Sequence, residues 1–485
     1  DLRARLVVNA CHRIGLRVPE DVAVLGVDNN ALICEFSDPP LSSVVREDHR
    51  MGYETAALLD RLMAGEPEPE SDILLQPMIN QTGYTPLYSA HVSDSALCAT
   101  CHNLKTPFVD ANGDLASSTP ESEFPEQMPY TEWEHSIFDD TGSNPASCQD
   151  CHMPATRSKV SSRPGFLEPK DGFARHEFAG ANTVMLTLLR DNAIALDVDT
   201  TNIDENIALS REMLNHAVSL DIVSAELDGD TFEARVRLTN NAGHKTPTSY
   251  PSRRMWLHFR VTDSDNQVVF ESGKPMPDGS VTGADNDMDQ AVFEPHYDLI
   301  TSPDQVQIYE PVVHDTDGNI SYTLLRAAGY LKDNRLTPQG FDKNSVPQDV
   351  AVVGEAMNDA NFNQGVDEVT YRFTNTGVGD LLVTVSLYYQ PLAHGVLQDL
   401  FTESGLQQVS SFKTMYDKQV LKYERMAMLE EIVQVADHVE LTLAAIVEVA
   451  AAEGIDLIVM CTDGRDNIKD FVTGTITEQV INNAP

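Results

Sequence analysis

The sequence predicts a multidomain α+β chain, on three observations. Its 485 residues are several times the ~100–200 residues of a typical domain. Apolar residues make up 41% of it, enough to build packed cores rather than a disordered polymer. The hydrophobic pattern also changes along the chain. Apolar strands stand beside helical periodicity at both ends, a loop- and helix-rich stretch follows the first end, and short alternating segments run through 220–390.

Taken in order, residues 1–80 read as a partial α/β segment. An apolar strand over 22–27 leads into Asp28, Asn29 and Asn30, a helical pattern covers 52–64, and an acidic, proline-broken run closes the segment at 66–71. Residues 84–215 are rich in loop residues, with helical patterns at 182–196 and 206–220. Residues 216–395 carry alternating segments at 232–238, 255–261, 306–313, 368–373 and 381–389, parted by Gly, Asp, Asn and Pro. That spacing predicts an antiparallel β-sandwich. Residues 411–485 return to partial α/β: an amphipathic helix over 416–452, an apolar strand at 455–460, a glycine-containing loop and a last helix.

The seven cysteines carry the strongest chemical signal. Cys11, Cys34 and Cys461 are isolated, whereas Cys98/Cys101 and Cys148/Cys151 are C-x-x-C pairs, each followed at once by histidine, His102 and His152. C-x-x-C-H is the attachment signature of c-type haem. Two thiols at this spacing reach the two vinyl groups of one porphyrin, and the next residue places an imidazole beneath the iron. A four-cysteine zinc site fits less well, because 46 residues separate Cys101 from Cys148, against the usual ~15–20. A redox dithiol needs a βαβ setting that the pattern lacks. The sequence therefore calls for two covalent haems in the 84–215 domain.

An electron-transfer haem takes a second axial ligand, His or Met. Met153 adjoins His152 and cannot reach the opposite face, so the candidates are His91, His135, His176, His216 and His244, with His135 and His176 preferred and His244 third. His258, His296 and His314 lie in the alternating region, where core or surface roles are expected. Arg253 and Arg254 are candidate partners for haem propionates, and Trp133 for packing at a porphyrin edge; surface pairing and core packing are the other readings.

Charge bounds the partners. With 33 Lys+Arg against 75 Asp+Glu, the net charge is −42. Nucleic-acid binding, which depends on cationic side chains displacing counterions, is disfavoured, as is docking on anionic lipid. The longest apolar runs, such as 381–389, fall far short of the ~20 residues of a membrane helix. Partners are expected among redox proteins with basic surfaces or further haem-bearing chains. The chain starts at Asp1 without Met or a signal-like region and reads as trimmed at its N-terminus.

Residues 84–395 resemble the C-terminal part of a bacterial multihaem cytochrome c family. The resemblance is carried by both C-x-x-C-H motifs with their flanks, by Trp133-Glu-His-Ser136, Arg175-His-Glu-Phe178, Gly243-His-Lys-Thr-Pro247, Glu294-Pro-His-Tyr297, Lys332-Asp-Asn-Arg-Leu336 and Tyr389-Gln-Pro391. It implies a helical haem-binding part with an appended β domain, electron transfer, and a periplasmic or extracellular location, since such haem is attached outside the cytoplasm. Larger relatives carry further C-x-x-C-H motifs upstream; this chain has none there, so one of the histidines could be a ligand whose haem is missing.

The flanks resemble other families. Residues 1–80 are similar to the C-terminal end of the sugar-binding domain of LacI-type regulators, closest to xylose-operon regulators, through Val18-Pro-Glu-Asp-Val-Ala-Val-Leu-Gly-Val-Asp-Asn29, Pro39-Pro-Leu-Ser-Ser-Val44 and Gly52-Tyr-Glu-Thr-Ala-Ala-Leu-Leu59. That likeness implies sugar contact through Asp28. Residues 440–485 resemble the end of a universal stress protein, with a strand at 456–460 and Gly464, Gly474 and Thr475 matching part of a nucleotide-phosphate loop, although Cys461 replaces its first glycine. These two families are cytoplasmic and the haem family is not. A joined or recombined reading frame is expected, with a functional fusion as the other reading. Three function classes follow: a dihaem electron carrier, a haem oxidoreductase with an open sixth position, and a sugar- or nucleotide-binding fusion. No G-x-S-x-G, H-E-x-x-H or G-x-x-x-x-G-K-[ST] motif argues for other catalysis.

Overall fold

The computed structural model describes residues 2–27, 33–34, 37, 39–45, 56, 78–79, 90–159 and 168–435. The sugar-contact candidate Asp28, most of the 52–64 helix, and the 455–460 strand with its loop and Cys461 lie outside these residues. The chain divides into two units, Asp1–Val92 and Ser93–Pro485. Among the described residues it is a mixed α and β structure with several sheets and no closed barrel.

In the first unit helix α1 (Leu2–Arg13) buries Ala4, Val8 and Cys11, spaced at about one helical turn, against Val18, Cys34 and Leu41. Strand Leu25–Val27 pairs in parallel with Ser42–Val45, which pairs antiparallel with Met78–Ile79. Parallel pairing needs a crossover connection, as the α/β reading of this segment requires.

The second unit opens with short helices among loops: α2 (Ala96–His102), α3 (Pro129–Glu134) and α4 (Cys148–His152), followed by the longer α5 (Thr183–Asp191) and α6 (Ile203–Ala217). Ile203, Ile207, Ser210 and Leu214 form the buried stripe of α6 at three- and four-residue spacing. The expected helix over 206–220 is thus shifted toward the N-terminus, because Val218 already belongs to a strand.

Nine strands then build two facing sheets: β1 (Val218–Asp228), β2 (Thr231–Asn240), β3 (Arg254–Thr262), β4 (Val268–Ser272), β5 (Leu299–Ile300), β6 (Ile308–Tyr309), β7 (Val366–Thr374), β8 (Leu381–Gln390) and β9 (Glu424–Val433). One sheet runs β4-β3-β8-β9 with β6 beside β3; the other runs β5-β7-β2-β1. All pairs are antiparallel except β5 with β7. Period-2 alternation sends Phe232, Ala234, Val236 and Leu238 inward from one sheet, and Leu257, Phe259, Val383 and Val385 inward from the other, into one core.

Two expectations need correcting here. The β region does not stop at 395, and 416–452 is not one long helix. The helix Gln407–Lys418 ends, and β9 follows, paired along β8 from Glu424 to Val433. Local propensity favours helix in this Glu-, Met- and Ala-rich stretch, but β8 would otherwise expose a ladder of unpaired backbone groups beside a buried core. The sheet edge decides the conformation.

Candidate functional site

Each C-x-x-C-H motif folds as a short helix ending on its histidine. In α4 a capping box closes the N-terminus: the Ser147 hydroxyl accepts from the Asp150 N–H, and the Asp150 carboxylate accepts from the Ser147 N–H at 2.8 Å. The variable residues of the motif thus hold Cys148, Cys151 and His152 in one turn. The His152 Nδ1–H donates to the Ala179 carbonyl at 2.7 Å, leaving the Nε2 lone pair free.

A second imidazole faces this one. The ring of His244 lies 6.1 Å from that of His152, centre to centre, with the planes 15° from parallel. Its Nδ1–H donates to the Lys245 carbonyl at 3.0 Å, so its Nε2 is free as well. Burial, then the neighbouring His152, lowers the His244 imidazole from its ordinary value, which favours the neutral form. Two imidazoles side by side, each giving its Nδ1 proton to a carbonyl, are a donor set that suits a haem iron.

The loop bearing His244 is anchored by buried charges. Glu132 of α3, fully buried, accepts from the Lys245 N–H at 3.0 Å and the Thr248 hydroxyl at 2.8 Å. It pairs with Arg335 at 3.1 Å. Arg335 grips Asp333 through Nε and Nη2, both at 2.8 Å, and Lys245 Nζ completes the cluster on Asp333 at 2.7 Å. Burial alone would raise the Asp333 carboxyl; Arg335 and then Lys245 hold it well below the ordinary range. Trp133 is buried, donates Nε1–H to the Ala146 carbonyl at 2.9 Å, and approaches Gly243 so closely that a Cβ there would stand 3.0 Å from its ring.

The other candidates fall elsewhere. His102 ends α2 exposed, and among the described residues no second imidazole is paired with it. His135 donates Nδ1–H to the Thr131 carbonyl at 2.8 Å and meets Phe341 edge-on; His176 is exposed against Phe178; His216 is exposed and bonded to the Glu212 carbonyl; His91 belongs to the first unit and is exposed. The structure thus brings His244, and not His135 or His176, beside the ring of His152. Arg254 is also corrected: it is 1% exposed and bidentate to Asp287 at 2.7 and 2.8 Å, closed to any propionate. Arg253 donates to the Thr248 carbonyl beside His244. His258 binds Glu271, and His314 the Asp315 carbonyl.

A cluster that the sequence did not single out is His296, Asp359 and Asp367, whose ligand atoms lie within 4.8 Å of one another. The hydrogen bonds argue against a metal there. Gln307 Oε1 accepts from the Tyr297 N–H and Asn334 Oδ1 from the Glu310 N–H, which turns both amide NH2 groups onto His296 Nδ1 at 2.8 and 3.0 Å. Nδ1 must then be the acceptor and Nε2 must carry the proton, donated to Asp359 at 3.2 Å. A metal-bound imidazole has the opposite arrangement.

Comparison with known proteins finds family matches at the two ends of the chain. Residues 1–81 match the family described as a periplasmic binding protein-like domain, and residues 408–485 match the universal stress protein family. The second match takes in the helix Gln407–Lys418 and β9, which here pairs along β8 in the second unit. The xylose operon regulatory protein of Haemophilus influenzae is 32% identical over 138 residues, 27% of this chain and 36% of that protein. Its counterpart in Escherichia coli K12 is 40% identical over 78 residues, 16% and 20% respectively. The chain thus spans about a third or less of the length of these relatives. Among solved structures, a penta-heme cytochrome c552 from Thermochromatium tepidum aligns at TM-score 0.41 and 17% identity, covering 77% of this chain and 65% of that one.

Proposed function

We propose that the chain is a composite of segments of separate origin, and that its second unit carries a c-type haem electron-transfer module. The single observation that carries the haem reading is the His152–His244 pair, with two near-parallel imidazoles, both Nδ1 protons given to carbonyls and both Nε2 atoms free. Cys148 and Cys151 would hold one haem by thioethers, with His152 and His244 to bind its iron; Cys98, Cys101 and His102 would hold a second. When bound, haem supplies a one-electron couple. The protein's own part is positional. The capping box fixes the motif turn, the Ala179 carbonyl sets the His152 tautomer, and the Glu132–Arg335–Asp333–Lys245 cluster holds the His244 loop. A basic redox partner meeting the acidic surface, and a periplasmic or extracellular setting, belong to this reading.

Expression in a host that attaches c-type haem tests it. A pyridine haemochrome assay with intact mass should give two haems, about 1.2 kDa of added mass. His244→Ala should convert one haem from low-spin to high-spin, while His176→Ala leaves the spectrum unchanged. No covalent addition would overturn the reading.

The exposed His102 favours a second reading, a haem oxidoreductase using that haem with an open position; a uniformly low-spin spectrum would exclude it. The match over residues 1–81 to a periplasmic binding protein-like domain favours a third, in which an end of the chain binds xylose or a nucleotide. Calorimetric titration of the full chain with xylose and with ATP tests that, and no heat from either removes it.

A further inference from the structure

The two C-x-x-C-H motifs are distant in sequence but share one buried residue. Ser95, 1% exposed, accepts the Cys98 N–H on its carbonyl at 2.9 Å and the Cys148 N–H on its hydroxyl at 3.1 Å. A second strap runs beside it, where the Gln149 amide donates to the Asp94 carbonyl at 3.0 Å. The leading turns of α2 and α4 are thereby clamped to each other. Their leading cysteines are neighbours: both backbone N–H groups end on Ser95, Cys148 acts on the Cys98 thiol, and both are half-buried. The trailing cysteines, Cys101 and Cys151, are exposed.

We propose that Cys98 and Cys148 form a redox site of their own, a dithiol drawn from two different motifs that closes to a disulfide whenever the chain is oxidised before haem is attached. The oxidant is a small or protein disulfide. One cysteine, as thiolate, attacks a sulfur of that disulfide, breaking its S–S bond and releasing one thiol. The other then displaces the second thiol from the mixed disulfide. The chain loses two electrons and two protons, the oxidant becomes two thiols, and the Cys98–Cys148 bond forms. Burial and then Cys148 hold the Cys98 thiol above its ordinary range, so closure accelerates as pH rises.

The consequence follows from where the sulfurs belong. Each is one of the two thioether positions of its motif, so a single two-electron event withdraws both motifs from haem attachment at once. That consequence rests on the haem reading; the cross-link does not.

The test uses the full chain, made reduced in a host without haem attachment, then exposed to glutathione disulfide, alkylated, digested and mapped by mass spectrometry. The expected main product is a peptide pair joining Cys98 to Cys148. The Cys101→Ser/Cys151→Ser double variant should retain it, Cys98→Ser should lose it, and Ser95→Ala should form it several-fold more slowly. Cys98–Cys101 or Cys148–Cys151 as the main product, or glutathione adducts alone, would overturn the proposal. A second arm presents ferrous haem to the reduced and the cross-linked chain. Covalent uptake by the reduced chain only is expected, and equal uptake by both refutes the gating. With the cross-link formed but uptake by neither, the haem reading fails and the disulfide stands.

Discussion

Arg335→Met should destabilise the second unit by about 3–5 kcal/mol, the cost of leaving a buried charge without its partner. The figure follows from what the guanidinium holds. It supplies two hydrogen bonds to Asp333 and an ion pair to Glu132, and both carboxylates are almost wholly buried. Without the Arg335 side chain, Asp333 keeps Lys245 Nζ and the backbone N–H of residue 335 at 3.3 Å, and Glu132 keeps the Lys245 N–H and the Thr248 hydroxyl. Lys245→Met is the internal control. Asp333 would retain both arms of Arg335, so the loss should be nearer that of one charge-assisted hydrogen bond, about 1.5–3 kcal/mol. Both tryptophans of the chain, Trp133 and Trp256, lie in this unit, so urea titration of the haem-free chain followed by fluorescence reports its unfolding. The midpoint should fall with the slope unchanged. A shift worth under about 1 kcal/mol for Arg335→Met, or an equal loss for Lys245→Met, would refute the reasoning.

Two further outcomes are expected. Burial pushes Asp367 up to about 6, against the counter-effects of His296 and Tyr309, and pushes Glu294 up to about 7. Both carboxyls bind their protons more tightly folded than unfolded, so their contribution is fully present below the ordinary carboxyl range of about 4 and is lost as pH rises through 6 and 7. Denaturation midpoints measured from pH 4 to 7 should carry that decline, and Asp367→Asn should flatten its lower half; an unchanged slope would refute the assignment. Gly340 has φ +86°, and a Cβ there would stand 2.9 Å from the Ile137 backbone nitrogen, so Gly340→Ala should cost about 2–4 kcal/mol in the same titration, and a neutral result would show that the loop yields.

The two C-x-x-C-H motifs were legible because their chemistry is local. Cys98, Cys101 and His102 share one helical turn, as do Cys148, Cys151 and His152, and no distant residue is needed to place them. The alternation that buries Phe232 to Leu238 and Val383 to Val385 was legible for the same reason, since side-chain period follows from backbone geometry alone. The buried stripe of α6 belongs to the same class, while its last residues do not: Val218 pairs with Asn240 and so becomes strand.

What faces His152 was decided elsewhere. His135 and His176 are as well placed in sequence as His244, and nothing in residue spacing separates them. His244 wins because its loop is tied to α3 through Glu132, and Glu132 to the sheet region through Arg335 and Asp333. The end of the second unit follows the same rule. Residues 424–433 carry a helical composition, yet the unpaired edge of β8 makes them a strand. Ser95 joins two motifs that no sequence pattern connects. Covalent geometry sets what residues within a turn can do together. Which residues meet across a long separation is set by burial and by the need to pair every polar group taken out of water, and those conditions exist only once the chain has folded.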